Sequence, residues 1–288
     1  MKKIRLDQCL TTLGLFDSRE QAKKAIMAGL VLVNGQVHTK AGDQVPADLE
    51  PGAIQIKGSV CPFVSRGGLK LDKGLKVFPF KVEDKTFLDI GASTGGFTDC
   101  LLQKGAAKVY AIDVGYGQLD YRLREDPRVI CMERTNFRHL TAADLPEKVH
   151  ATVMDVSFIS ILKLLPAIKE LTEEDAEGIW LIKPQFEAGP EQVGKKGVIR
   201  DRKIHEQVLV NVISGIESAG FTVMGLDYSP IRGPKGNIEF LCYTKKGVHS
   251  TPIRDQQETI QKIIAAAHEA YKPSAEDVAD ADHGEHHD

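Results

Sequence analysis

The sequence predicts an α/β protein: a mostly parallel sheet covered by helices on both faces, preceded by a small α+β unit. Strand-like apolar runs alternate with helical stretches from about residue 65 onward, the rhythm of a parallel sheet with crossover helices. One of these runs, 86–90, passes straight into a glycine-rich turn, as the nucleotide-binding member of such a sheet does. In the first sixty residues a helical pattern instead gives way to Asn34-Gly35 between β-formers, a tight-hairpin signal that sets this part apart.

The N-terminal unit is expected to span 1–59. Ser18-Arg-Glu-Gln21 has capping-box spacing, so a helix starts there and ends near Gly29. Ala22, Ile26 and Leu30 fall on one face, while Arg19 and Lys23, one turn apart, and Lys24 make another face basic. With an earlier helix and the hairpin Val31–His38, the unit reads helix, helix, hairpin. A connector at 60–64 leads to the larger domain, 65–273. A helix is expected from Arg66 to Val77, and strands at 86–90, 108–114, 128–132, 151–155, 179–182, 221–226 and 238–243. Ile204, Val208, Val212 and Ile216 stripe one later helix, and Ile260, Ile263, Ile264 and Ala267 another.

Composition excludes several classes. With 42% hydrophobic and 27% charged residues the chain can build a sizeable core, and no run approaches the roughly 20 apolar residues that cross a bilayer. The first residues are charged and carry no apolar signal core, so a cytoplasmic protein with no membrane partner is expected. The cysteines at 9, 61, 100, 131 and 242 are scattered and lack knuckle or redox spacing; they are expected to be reduced packing residues. The formal charge of −3 becomes +3 once the six acids of 274–288 are set aside. That segment has no Lys, Arg or aromatic residue and reads as a disordered acidic tail, its three histidines solvated rather than metal-bound. No metal site is expected.

The turn after the 86–90 run, Gly91-Ala-Ser-Thr-Gly-Gly-Phe97, lets a ligand approach the backbone closely. It lacks the Gly-Lys-Ser/Thr of a phosphate-binding loop, and Ser93 stands where a dinucleotide fingerprint needs its second glycine. S-adenosyl-L-methionine, which has no phosphate, fits Gly-x-x-x-Gly-Gly, and Asp89 before the turn is typical of such sites. Asp113 ends the second strand, where a carboxylate accepts from ribose hydroxyls. The expected cofactor residues here are Asp89, Gly91, Ser93, Thr94, Gly95, Gly96, Phe97, Asp113 and Val114, joined by Asp155 after the fourth strand.

After the fourth strand of this domain the chain reads Asp155-Val-Ser-Phe158, not the Asn/Asp-Pro-Pro-Tyr of many enzymes that methylate base amines, and no cysteine sits in a loop suited to attack on a pyrimidine carbon. These absences favour an oxygen acceptor over an amine or a ring carbon, and the proton of a hydroxyl needs a base. Lys183 ends an apolar strand, Lys70 lies on the 66–77 helix, and Glu239 interrupts an apolar run where a buried carboxylate requires a cation. Two partly buried ammonium groups brought close together would lower one another's pKa and free an amine.

Lys70, Asp155, Lys183 and Glu239, in this order around the glycine loop, resemble the Lys-Asp-Lys-Glu tetrad of FtsJ-like ribose 2'-O-methyltransferases. Arg5-Leu-Asp-Gln-Cys-Leu10, Ser18-Arg19 and Val33-Asn-Gly35 resemble an S4 RNA-binding domain. The combination, with Ser65-Arg-Gly-Gly-Leu-Lys70 and Lys183-Pro-Gln-Phe-Glu187, resembles the TlyA family, ribosomal RNA cytidine 2'-O-methyltransferases historically named haemolysins. The resemblance implies a Rossmann-like methyltransferase domain, with Lys183 as proton acceptor, Lys70, Asp155 and Glu239 setting its charge and holding the ribose, and Asn136 and Phe137 flanking the adenine. It implies ribosomal RNA or a ribosomal subunit as partner, and nothing in the sequence calls for an obligate protein partner. Arg5, Arg19, Lys23, Lys24, Arg66, Lys195 and Lys196 are the expected RNA contacts, with Lys73, Arg200, Arg202 and Lys203 also placed to reach phosphates. A membrane-lytic protein and a non-catalytic ribosome-assembly factor are the competing readings. The first lacks a spanning segment and the intact tetrad speaks against the second.

Overall fold

The computed structural model of the chain describes residues 3–16, 18–57, 61–194, 197–247 and 255–272. Lys195, Lys196 and the acidic segment 274–288 lie outside the described residues. The chain divides into two units, Met1–Pro62 and Phe63–Asp288.

In the first unit, β1 (Lys3–Arg5), α1 (Leu6–Thr12) and α2 (Arg19–Met27) precede β2 (Val31–Val33), β3 (Gln36–His38), β4 (Gln44–Pro46) and β5 (Ile54–Ile56). The Ser18 hydroxyl accepts from the Gln21 amide at 3.2 Å and starts α2. Asn34 and Gly35 take positive φ (51° and 79°), so the turn joins β2 and β3 with Val33 opposite Gln36. β2 also pairs with β5, and β1 with β4, strands too short to leave a pattern in the sequence. Leu6, Leu10, Ala22, Ala25, Ile26 and Val31 form the core; Leu30, just past the helix, is half-buried. Asp7, 4% exposed, ties α1 to its surroundings. It accepts from Arg5 Nε and Nη2 at 3.0 and 2.9 Å and from Arg19 Nη2 at 3.2 Å. The Arg5 hydrogen bonds, helped by Arg19 and against the effect of burial, hold its carboxyl down at about 2.

The second unit contains α3 (Gly67–Val77), β6 (Thr86–Ile90), α4 (Gly96–Gln103), β7 (Lys108–Ile112), α5 (Tyr121–Arg124), β8 (Val129–Met132), β9 (Val149–Met154) and α6 (Leu165–Leu171). It continues with β10 (Thr172–Ile182), α7 (Pro184–Glu187), α8 (Arg202–Ser218), β11 (Phe221–Tyr228), β12 (Phe240–Lys246) and α9 (Gln256–Ala270). The strands form one sheet in the order β11-β12-β10-β9-β6-β7-β8, in which β12 runs antiparallel to both its neighbours and the other pairs are parallel. Alternate residues serve opposite faces. Leu88, Ile90, Trp180 and Ile182 pack with Val208, Val212 and Ile216 of α8 and Ile260 and Ile264 of α9. On the other face Phe87 meets Phe80, and Gly74 of α3 lies so near Ile179 that a Cβ there would come within 3.1 Å.

Several element boundaries differ from expectation, those of β10 and β12 for identifiable reasons. β10 begins at Thr172, not Ile179, because its first half carries exposed Glu173, Glu174 and Asp175 and shows no apolar run. β12 begins after Glu239, which turns off the sheet end into the site. Cys9, Cys100 and Cys242 are buried, but Cys61 is half-buried and Cys131, on the edge strand β8, is exposed, so not every cysteine is a packing residue. Among the described residues no helix is long and apolar enough to cross a membrane, and no group of three or more His, Cys, Asp and Glu is placed to hold a metal.

Because Asp7 is held below its ordinary carboxylate range, its contribution to stability is complete above about pH 4 and is lost as pH falls towards 2. Asp7→Asn is expected to cost ~1 kcal/mol at pH 6 after allowance for solvent around the arginines, with the gap to the unsubstituted chain closing below pH 4. Urea titrations at several pH values check this; an equal gap at pH 6 and pH 2.5 overturns it.

Candidate active site

The parallel strands deliver their C-terminal ends to one edge, and the site lies there. At the end of β6 the chain turns sharply: the Gly91 and Ala92 amides donate to Ile112 O at 2.9 and 3.0 Å, and Asp155 N donates to Ile90 O at 3.0 Å. Gly91 has φ +83°, and a Cβ there would lie 2.8 Å from the carbonyl oxygen of Asp155. Only a bare backbone fits between the β6 turn and the end of β9.

Two clefts open from this junction. One, of about 400 Å³, is lined by Gly91, Ser93, Ile112, Asp113, Val114, Asn136, Phe137 and Asp155 among others. Its apolar walls, Ile112 and Phe137, suit a flat purine, and the backbone around Gly91 leaves room for a ligand that a side chain would fill. Asp113 accepts from Ser93 N at 2.8 Å and Gly115 N at 2.7 Å, one bond on each oxygen, so each retains a lone pair for a hydroxyl. These residues fit S-adenosylmethionine. Glu133, which the sequence did not single out, braces the same wall by accepting from the amides of Gly117, Gln118 and Leu119. With Arg124 as the main cause, its carboxyl is lowered to about 2.

The second cleft, of about 550 Å³, shares Gly91, Ser93, Asp155 and Ser157 with the first and adds Arg66, Thr94, Gly96, Phe97, Lys70, Lys183 and Arg232. Here the four tetrad residues meet. Lys70 Nζ lies 3.1 Å from Asp155 Oδ2 and 2.7 Å from Glu239 Oε2, and Lys183 Nζ lies 2.6 Å from Asp155 Oδ1. Lys70, Lys183 and Glu239 are 6%, 8% and 1% exposed. Lys183 also donates to Ser157 Oγ at 3.0 Å. The two ammonium groups do not face each other directly; Asp155 stands between them. Burial favours loss of the Lys70 proton, but Asp155 and Glu239 outweigh it and raise Lys70 above its ordinary pKa, the reverse of the mutual lowering expected. Asp155 is likewise held below its ordinary range: burial opposes this, but Lys70 and Lys183 prevail.

Two expected cofactor residues lie off the cleft walls. Asp89 is fully buried behind the turn, where one oxygen accepts from Thr98 Oγ1 at 2.6 Å. Burial, with Asp155 and Asp113 nearby, pushes its carboxyl up to about 7. Gly95 packs away from the clefts, where a Cβ would strike Leu123 at 2.2 Å. Lys73 is not free for phosphate: it donates to Asp227 at 2.9 Å and to Tyr228 O at 2.6 Å and sits over the Tyr228 ring. Arg66 is exposed on the wall of the second cleft. Elsewhere in the second unit Arg200, Arg202 and Lys203 are exposed, and in the first unit Arg19 and Lys23 on α2 are exposed while Lys24 is half-buried. Ser157 and Arg232 escaped sequence reading, since a serine in a short loop and an arginine among prolines and glycines carry no periodic signal. Phe158, beside Ser157, is 90% exposed with φ +65° and lies 5.0 Å from the Phe186 ring, centroid to centroid.

Fold and site together define a methyltransferase that uses S-adenosylmethionine. The chain belongs to the FtsJ-like methyltransferases, whose family model matches residues 63–246, and an S4 domain model matches residues 4–50. It is 47% identical over 279 residues to YqxC of Bacillus subtilis, covering 96% of this chain and 98% of that protein. It is 41% identical over 244 residues to the 16S/23S rRNA (cytidine-2'-O)-methyltransferase TlyA of Mycobacterium tuberculosis, covering 85% and 90%. The solved structure of a hemolysin-named protein from Streptococcus thermophilus matches with TM-score 0.73 at 45% identity, over 94% of this chain and 98% of that one.

Asp89 supplies a pH test. Its raised pKa means that its favourable, protonated contribution is complete below about pH 4 and is lost as pH climbs towards about 7. Asp89→Asn is expected to gain stability on the unsubstituted chain by a few kcal/mol across that interval, read from melting without cofactor; a constant difference overturns it. Gly91→Ala, strained at positive φ and crowding Asp155, is expected to cost about 1–3 kcal/mol of stability and at least tenfold in cofactor affinity by calorimetry.

Proposed function

We propose that the chain methylates the 2'-hydroxyl of a cytidine ribose in ribosomal RNA, working in the cytoplasm, with Lys183 as the proton acceptor. The observation that carries the reading is Asp155, shared by Lys70 and Lys183 where the cofactor-shaped cleft meets the second cleft. The name of the Mycobacterium tuberculosis relative supports the RNA, the cytidine and the 2'-oxygen.

When bound, S-adenosylmethionine supplies a methyl group already activated by a positively charged sulfur. The chain's task is then to orient the ribose and take its proton. Lys70 has two carboxylates within ion-pair reach, whereas Lys183 has one oxygen of a shared carboxylate and a neutral hydroxyl. With the weaker anionic support, Lys183 is the amine placed to take the 2'-hydroxyl proton; the bound cofactor would supply the methyl group to the ribose oxygen, its sulfur leaving with the bonding pair as a neutral thioether. Lys70 and Glu239 fix Asp155, and Asp155 aims Lys183. Phe158 offers an exposed ring face for the nucleobase beside the junction. In the first unit, Arg19, Lys23 and Lys24 on α2 and Arg5 on β1 serve as contacts to structured RNA, and in the second unit Arg66 does so, with Lys195 and Lys196, outside the described residues, as further contacts named by the sequence.

Lys183→Ala is expected to lower methyl transfer to unmodified ribosomal RNA by about 10²–10⁴-fold, with cofactor affinity within about twofold. Retained turnover overturns the base assignment. Mapping 2'-O-methyl marks on ribosomal RNA from cells with and without the gene tests the substrate: a mark lost at a cytidine is expected, one lost elsewhere overturns the cytidine, and an unchanged map overturns ribosomal RNA.

A further inference from the structure

We propose that Arg232 is the phosphate-binding residue of the acceptor cleft, holding one of the two phosphates that flank the target ribose while Arg66 holds the other. The proposal rests on the reading of this cleft as an RNA ribose site and adds what brings the backbone into register there.

The charge balance requires such a residue. The tetrad pairs two lysines with two carboxylates at 2.6–3.1 Å, so its cations are already committed. It therefore offers no net attraction to a polyanion, and phosphate contacts fix the register of most protein–nucleic acid complexes. The cleft walls carry two further cations, Arg66 and Arg232, both exposed. No carboxylate pairs with either among the described residues, in contrast to Lys73 on the same helix as Lys70, which Asp227 neutralises. Arg232 thus supplies, with Arg66, the excess positive charge of the cleft.

Arg232 is also held in place in a way that leaves it usable. Its guanidinium lies over the Tyr271 ring, 4.9 Å from the centroid, and one Nη donates to the Tyr271 carbonyl. A guanidinium has five N–H donors, so this bond leaves four. Tyr271 is fixed in turn, its hydroxyl donating to Ser229 O at 2.6 Å. The loop that carries Arg232 is closed by Ser229 Oγ on Ile231 O at 2.7 Å and by the Gly233 amide on Asn237 O at 2.9 Å. It leads directly into Glu239, so the phosphate contact and the carboxylate paired with Lys70 share one hydrogen-bonded segment. A side chain whose freedom is already lost before RNA arrives costs less to use, and the planar fork suits a phosphate better than an ammonium does.

A different role is conceivable from the same contacts: Arg232 as a brace between the 229–239 loop and the end of α9. The two roles separate by measurement on the full chain with unmodified ribosomal RNA. Arg232→Ala is expected to weaken RNA binding and raise KM by roughly ten- to a hundredfold, with kcat changed less than about threefold and cofactor affinity unchanged. The slope of log affinity against log salt should fall by about 0.7–0.9, the share of one phosphate contact. Arg232→Lys should restore the slope but only part of the affinity. A lower melting temperature with KM and salt slope unchanged overturns the proposal in favour of the brace. A chain that binds RNA but transfers no methyl group overturns the ribose reading instead, and the binding slopes still decide Arg232.

Discussion

The carboxylate of Asp155 lies between two buried ammonium groups, and the geometry of the site depends on this sharing. Its amide is fixed by the end of β6, its own strand β9 lies between β6 and β10, and Lys183 extends directly from β10. Lys70 comes from a helix 85 positions earlier in the chain. Burying two lysines is costly, and a single removed partner would leave a desolvated charge, so each member is held by the others. The parallel sheet makes the cluster possible, because its strands end on one edge regardless of their separation in sequence.

The same sharing divides the roles of two chemically identical side chains. Lys70, between Asp155 and Glu239, is raised and stays charged. Lys183 faces Asp155 from the other side, with Ser157 as its second partner. The two amines therefore differ in their partners, and that asymmetry, more than their proximity, sets them apart.

Much of this was legible beforehand because it depends on local pattern. Apolar runs located the central strands, Asn34-Gly35 the hairpin and Gly91 the turn, since each follows from periodicity or positive φ. The resemblance to a known tetrad named Lys70, Asp155, Lys183 and Glu239, but the expected mutual lowering of the lysines did not hold for Lys70, because no sequence pattern shows a carboxylate standing between them. Lys73 looked like a phosphate contact until Asp227, 154 positions away, was seen to neutralise it. Short strands such as β1 and β4 and the acidic half of β10 have too few apolar residues to show a period. Ser157 and Arg232 reach the second cleft through position alone, and irregular loops leave no signal of position.

The glycine-rich turn shows how one motif serves two physical demands. Gly91 is bare because the backbone of Asp155 lies too close for a Cβ, and this opens the junction of the clefts. Gly95 and Gly96 answer to packing: added Cβ atoms would strike Leu123 at 2.2 Å and Ser65 Oγ at 2.3 Å. Gly96 thereby lets the start of α4 approach Gly67 and Gly68 at the start of α3, the helix that carries Lys70. A motif read from sequence as a cofactor cradle is therefore also what seats the acceptor-side lysine. Asp89 follows the same logic: buried against Thr98 on α4, it anchors the turn from behind while Asp113 lines the first cleft. The two clefts are linked through these contacts, so their alignment is a property of helix packing around the turn as much as of the residues that line either cleft.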